Sequence, residues 1–344
     1  MQNSPLVSVV MSVFNTEKYL AEAIESILNQ TYLHFEFIII DDGSTDSSLE
    51  IIQEYAKKDG RIRVIVNSEN LGLPRSLNKG IDMAQGVYIA RMDPDDISLS
   101  DRFEKQINYL NAHPETFVLG GQLKCFGASD YISSNVVEKE ILRWQLLLNI
   151  PVIAHPTAMI NKQSLISIGK YPENSLHAED RALWNELYIH SEFPISNLPD
   201  ILYLYRIHES NVSIINKNVQ VLANIKFQLK LLKYEFDLDI DENIINIMNY
   251  PKPVNFSDVR KLPDLIFELL NKYISIHNIK DISIITKLKQ TTASYIFGKM
   301  YRFPLRGCIA IIKSIILYPP VVSQYAQYYL SVPKKLFSYL LRRN

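Results

Sequence analysis

The 344-residue chain reads as an α/β protein, a mostly parallel sheet flanked by helices, with a mainly helical C-terminal region. Three observations predict this. The N-terminal third alternates short apolar runs with amphipathic stretches at helical spacing. Several of these runs end in Asn or Asp. From about Asn216 the strand-like runs stop, and breaks come at Pro251, Pro253, Pro304, Pro319 and Pro320. A strand–helix order repeated in this way favours parallel strands covered by crossover helices.

Leu6–Phe14 is a near-continuous apolar run, as a strand buried on both faces should be. Asn15 or Thr16 can cap the helix that follows, whose Leu20, Ile24, Ile27 and Leu28 share one face. Phe35–Ile40 predicts a second strand, and Ser44 to Asp46 can cap a helix bearing Leu49, Ile52 and Tyr55. Ile62–Val66 predicts a third strand, leading to a helix through Leu77 and Ile81, and Val87–Met92 a fourth. Further on, Phe117–Phe126 and Ile201–Tyr205 read as strands, and Glu138–Leu148 and Ala178–His190 as helices. The expected organisation is residues 1–215 as one domain and 216–344 as the helical region.

Composition narrows the class. At 47% hydrophobic and 21% charged the chain can bury a sizeable core. Cys125 and Cys308 form no metal spacing and no disulfide framework, so a reducing, cytoplasmic setting is expected. No signal peptide is read at the N-terminus, and no apolar stretch reaches the roughly 18–20 residues that span a bilayer. The net charge of −1 conceals an asymmetry: after Asp281 there are ten Lys and Arg and no acid, which leaves −11 for the residues before. A nucleic-acid partner is not expected. The basic, apolar tail over 282–344 predicts peripheral contact with an anionic membrane surface; a helical cap with a solvated basic face is the plainer reading.

In open α/β sheets ligands bind at the carboxyl ends of the strands. Here those ends carry Asn15, then Asp41-Asp42, then Asp93-Pro94-Asp95-Asp96. Any one alone is an ordinary polar turn. Together they suit a nucleotide diphosphate. Carboxylates cannot hold a diphosphate directly, but they can hold Mg2+ or Mn2+ that bridges its oxygens.

From Val7 to Val118 the chain resembles the inverting family 2 glycosyltransferases of the GT-A (Rossmann-like) fold. The likeness is carried by Val7–Asn15, Ser26–Thr31, Asp41–Asp46, Asn70-Leu71-Gly72, Leu77–Gly80 and Asp93–Asp96, in order and in spacing. His155-Pro156-Thr157, Gly169-Lys170-Tyr171, Ala178-Glu179-Asp180 and Tyr205–His208 extend it to about Ser213. Phe14 departs from it, since the family often has tyrosine there. The resemblance implies transfer of a sugar from a nucleotide donor, with UDP expected, to a glycan or lipid-linked glycan acceptor. It implies that Val13, Asn15 and Glu17 line the nucleotide loop, that Asp42 meets uracil, and that Arg75 meets base or phosphate. Asp95 becomes the metal ligand, Asp93 a ribose or metal-water contact, and Asp180 the catalytic base.

Three further assignments are more open. Arg206 and His208, two residues apart on a returning strand, can reach diphosphate and metal or form a plain edge pair. Glu179 and His155 fall on the acceptor side, where His155 otherwise only shapes a turn. Trp184 shares a helix face with Asp180 and reads first as core, then as an acceptor contact. Two other classes compete: a sugar-1-phosphate nucleotidyltransferase, which needs a Gly-rich basic loop absent from Ser12–Glu17, and a non-catalytic glycan-binding protein, which would be expected to lose Asp95 or Asp180.

Overall fold

The computed structural model describes residues 4–300, apart from 134–135, 176, 210, 212–214, 240–244, 246–247 and 250–255. The chain forms two compact units, Met1–Leu231 and Leu232–Asn344.

The first unit holds a nine-stranded sheet. Its parallel half consists of β1 (Val7–Val13), β2 (Phe35–Asp41), β3 (Ile62–Val66) and β4 (Tyr88–Met92), in the order β3-β2-β1-β4. Every residue of β1, β2 and β4 is buried, as the continuous apolar runs require of strands covered on both faces. Helices α1 (Glu17–Leu28), α2 (Ser48–Lys58) and α3 (Leu73–Met83) make the crossovers. Leu20, Ala23, Ile24 and Ile27 of α1 join the core formed with Val9, Phe37 and Ile39. The strand order reverses at β1, between β2 and β4, so the carboxyl ends of these three strands form the crevice where such folds take ligands.

After β4 the pattern changes. β5 (Ile97–Ser98), α4 (Arg102–Ala112), β6 (Val118–Gly127), β7 (Tyr131–Ile132), α5 (Lys139–Leu147), β8 (Met159–Asn161), α6 (Lys162–Ser167), α7 (Glu179–His190) and β9 (Ile195–Ile207) follow in turn. β8 pairs antiparallel with both β4 and β6. β9 runs parallel to β6 and antiparallel to β5, with Ile97 opposite Leu204 and Ser98 opposite Tyr203. That last pairing positions the site, because it carries the end of β9 past the loop that precedes β5.

The expected α/β architecture is present, with differences at the edges. The strand predicted over Ile201–Tyr205 extends to thirteen residues, Ile195–Ile207. Neither Thr16 nor Ser47, the residues preceding α1 and α2, makes a side-chain cap bond. The first turn of α1 is instead served across the sheet edge, where Asp46 accepts from the Glu17 N–H and the Ser48 hydroxyl from the Thr16 N–H, while at α2 the expected cap residue Asp46 accepts from the Ser48 N–H at 3.0 Å.

Helix Lys217–Phe236 begins in the first unit, where Asn185 donates to the Phe227 carbonyl and Gln228 to the Leu147 carbonyl. In the second unit, helix Phe256–Ile276 buries Ile266, Leu269 and Tyr273, and helix Ile282–Met300 buries Leu288, Ala293 and Ile296. Among the described residues no helix is long and apolar enough to cross a membrane. Most of the basic tail, residues 301–344, lies outside the described residues.

Candidate active site

The loops after β1 and β2 are laced together. Asn15 has a left-handed backbone (φ 52°), which Asn tolerates better than most residues. Its side-chain carbonyl accepts from the Thr45 N–H at 2.8 Å, and its own N–H donates to the Ser44 hydroxyl. Glu17 accepts from the Ser47 N–H at 2.9 Å. Val13 is buried at the end of β1, while the Phe14 ring beside it is 43% exposed.

Asp42 is buried and fully engaged. One carboxylate oxygen accepts from Asn67 Nδ2 (2.7 Å) and the Leu71 N–H (3.0 Å), and the other from the Gly72 N–H (3.0 Å). It therefore ties the Asn70-Leu71-Gly72 segment to the end of β2. Gly43 follows at φ 75°, where a Cβ would stand 2.7 Å from the Glu69 carbonyl carbon, so only glycine fits this approach. Arg75 points to Glu173 (3.3 Å), both half exposed.

The loop Asp93–Asp96 is held from two sides. Arg91, buried in β4, pairs with Asp93 Oδ1 at 2.5 Å, and the Asp93 N–H donates to the Tyr203 hydroxyl. Asp95 Oδ2 lies 2.9 Å from His208 Nε2. Arg206 donates from Nε to the Asp95 carbonyl and from its backbone N–H to Asp96 Oδ1. Its guanidinium pairs with Glu22 and sits between the Tyr19 and Phe126 rings, at 4.6 and 4.5 Å. Burial, then the charges of Asp93 and Asp95, push the Asp96 carboxyl up to about 9. Burial also raises Asp95, with Asp93 adding to it and His208 opposing.

Asp95 and His208 fit a divalent cation. They offer a carboxylate oxygen and an imidazole nitrogen at a separation suited to two neighbours on one ion. Asp93, drawn to Arg91, does not join them, and among the described residues no group of three or more His, Cys, Asp or Glu gathers as a metal cage. Diphosphate oxygens would complete such a coordination sphere.

A second cluster surrounds the start of α7. Glu179 and Asp180 occupy its first turn, where the helix dipole favours carboxylates. Asp180 accepts from the Arg181 N–H at 2.6 Å, whereas Glu179 Oε2 is buried with no hydrogen-bond partner. Burial, and then Asp180, push Glu179 up to about 7. Burial raises Asp180 as well, opposed by the Arg181 N–H and by the charges of Arg181 and Arg91. His155 Nε2 is 2.7 Å from the Tyr171 hydroxyl, and burial with the Arg91 charge holds the imidazole well below its ordinary range. Trp184 is buried edge-on to His155, its indole N–H unpartnered.

The sequence-predicted residues thus fall into two groups, one around Asn15, Asp42 and Asp93–Asp96 and one around Glu179, Asp180, His155 and Trp184. The charge of Arg91 acts on members of both. Arg91, Tyr19, Glu22, Tyr171 and Asn211 were not legible as site residues. Arg91 gave one signal, a lone cation inside the apolar run Tyr88–Met92 just before the acidic loop. Tyr19 and Glu22 gave none, since their role depends on contact with Arg206 far along the chain.

An α/β sheet with an acidic loop at its switch point, and a second carboxylate pair near enough to feel the charge of Asp93, is the arrangement expected of a nucleotide-sugar enzyme of the GT-A type. The glycosyl transferase family 2 pattern matches residues 8–169. An uncharacterized glycosyltransferase of Haemophilus influenzae is 31% identical over 292 residues, covering 79% of this chain and 89% of that relative. The putative teichuronic acid biosynthesis glycosyltransferase TuaG of Bacillus subtilis is 31% identical over 209 residues, 61% of this chain and 82% of that relative. Among solved structures, S. aureus TarS in complex with UDP-GlcNAc superposes with a TM-score of 0.56 at 20% identity, covering 93% of this chain and 91% of that chain. The mannosyltransferase PcManGT of Pyrobaculum calidifontis, solved with GDP-Man and Mn2+, gives 0.56 at 14% identity, covering 90% and 87%. The two solved structures share the fold. The chain belongs to glycosyl transferase family 2 and is a glycosyltransferase.

Proposed function

We propose that this glycosyltransferase moves a sugar from a UDP-sugar to a hydroxyl of a glycan or lipid-linked glycan, with inversion, in one metal-assisted displacement. The observation that carries the reading is the arrangement about Arg91: Asp93 on one side, and on the other the Glu179-Asp180 turn, within reach of its charge. The acceptor oxygen bonds to the anomeric carbon as the bond to the diphosphate oxygen breaks on the opposite face. Asp180 takes the acceptor proton; its raised carboxyl brings its basicity closer to neutral pH. Asp95 and His208 would hold Mn2+ or Mg2+, and such an ion would supply positive charge to offset that gathering on the leaving diphosphate. Val13, Asn15, Glu17 and Asp42 form the nucleoside pocket, and Arg75 turns from Glu173 to the base or a phosphate. The complex of TarS with UDP-GlcNAc supports uracil; that of PcManGT with GDP-Man makes guanine the comparison to test.

The catalytic region in this reading is 1–215, with 216–344 as a helical region that rests on the inner face of the cytoplasmic membrane through 282–344. The absence of any acid after Asp281 supports that contact. A vesicle-sedimentation assay with anionic and neutral lipid checks it: binding to both alike, or to neither, removes the idea. For the chemistry, nucleotide sugars are screened for turnover with and without EDTA. UDP-sugar turnover abolished by EDTA and restored by Mn2+ is expected, and EDTA-resistant turnover would overturn the metal assignment.

A further inference from the structure

We infer that Tyr19 is the positioning residue for His208, its ring setting the plane of the imidazole that faces Asp95; this rests on reading Asp95 and His208 as the cation ligands. Tyr19 lies in the first turn of α1. Its ring meets the His208 imidazole with centroids 5.0 Å apart and planes tilted by 35°. The Arg206 guanidinium sits against the same ring, 4.6 Å from its centroid, and has the Phe126 ring at 4.5 Å on its other contact. Glu22, three residues on from Tyr19 and so on the same helix face, pairs with that guanidinium. The Tyr19 ring is thus braced by Arg206 and in turn bounds His208.

The other contact of His208 near its turn does a different job. The Asn211 side-chain carbonyl accepts from the His208 N–H at 2.7 Å, which fixes the backbone. The Asn211 amide nitrogen lies 3.2 Å from His208 Nε2, the atom that faces Asp95, so it competes with a cation for that lone pair. The Tyr19 contact does not compete. An imidazole lone pair points outward in the plane of its ring, and a tilt of 35° brings Tyr19 nearer to a stacked than to an edge-on approach. The torsion χ2 of a histidine is soft, so an unbounded ring offers its lone pair to a cation only part of the time. Partners that orient a ligating His raise metal affinity by about 10- to 100-fold. Tyr19 therefore acts through His208 and does not touch the cation.

The test is Mn2+ titration of the full chain, read by the electron paramagnetic resonance signal of free Mn2+, beside thermal melting. Tyr19→Leu suits a helix and removes the aromatic ring, and it should weaken Mn2+ binding about 10-fold. Tyr19→Phe keeps the ring and should bind Mn2+ as tightly as the unsubstituted chain, with both variants melting close to it. His208→Asp keeps an oxygen ligand and has no ring to orient, so adding Tyr19→Leu to it should take away no further affinity. A merely structural role would lower affinity equally in both backgrounds. Tyr19→Leu that binds Mn2+ undiminished, with affinity lost in His208→Ala, overturns the inference and leaves the metal reading intact. An equal loss on adding Tyr19→Leu to His208→Asp, or a Tyr19→Phe as weak as Tyr19→Leu, does the same. Unsubstituted chain that binds no Mn2+, or His208→Ala that binds it undiminished, overturns the metal reading and the inference with it.

Discussion

Two buried acidic residues in this protein are treated in opposite ways. Asp42, at the nucleotide end of the sheet, receives three N–H donors and spends its charge holding Asn67, Leu71 and Gly72. Glu179, at the start of α7, is also buried, yet one of its oxygens has no partner and its carboxyl is pushed up to about 7. The first arrangement fixes shape, because each oxygen of the buried carboxylate has a donor. The second leaves a carboxyl without a partner for one oxygen, next to the residue proposed as the base. The nucleotide end satisfies its buried carboxylate, and the start of α7 does not.

The largest effect that tests this contrast is on turnover. Asp180→Asn keeps an oxygen for the Arg181 N–H, so the fold and nucleotide affinity should survive. Transfer should fall by about 10²- to 10⁴-fold. Isothermal titration with UDP beside a transfer assay measures both, and unchanged turnover would refute the base assignment. Next in size, Asp42→Ala removes the acceptor shared by Asn67, Leu71 and Gly72, of which the Leu71 N–H has no other acceptor among the described residues, and should cost about 1–3 kcal/mol of stability by urea unfolding. A loss below 0.5 kcal/mol (on the scale of an ordinary surface substitution) would mean that the nucleotide half is not braced as described.

Glu179 gives a smaller, pH-dependent effect. Its folded carboxyl is raised from an ordinary 4.5 to about 7. The folded state thus keeps a proton that the unfolded chain releases, and this contribution to stability is complete below about 4.5 and lost as pH rises through about 7. Glu179→Gln should remove that slope and stand above the unsubstituted chain at pH 8 by on the order of 1–3 kcal/mol. Parallel melting curves from pH 5 to pH 8 for both chains would break the contrast. The smallest effect belongs to Arg75 and Glu173, an exposed pair. Glu173→Ala should shift stability by less than about 0.5 kcal/mol, whereas Arg75→Ala should raise the donor KM with the melting temperature unchanged.

What could be read from the sequence follows the same division. The nucleotide half is local in its logic. Each buried strand shows as an apolar run, and each of its polar ends lies next to that run, so Asn15, Asp42 and Asp93 declare themselves by position. The second half was legible only in part. Glu179 and Asp180 stood out as a pair at a helix start, but α4 and β8 were not foreseen. β8 is three residues long, and α4 follows a turn, Leu99–Asp101, whose bonds run to Thr31 and Leu202. Arg91, Glu22 and Asn211 owe their roles to partners across the sheet, information that no local spacing carries. Arg206 was legible as a site residue. In the structure its donors go to Asp95, Asp96 and Glu22, which binds the acidic loop to α1 and β9.

That bond of Arg206 and His208 to Asp95 has a consequence in time. Asp95 and His208 are 113 residues apart, and Arg206 and Glu22 are 184 apart. At about 5–20 residues per second, a ribosome finishes the acidic loop roughly ten seconds before it adds the residues that hold it. During that interval the nucleotide crevice can assemble from β1 to β4, while Asp95 has neither its histidine nor the clamp on its carbonyl. The strands that form the crevice are thus complete before the residues that hold its acidic loop exist.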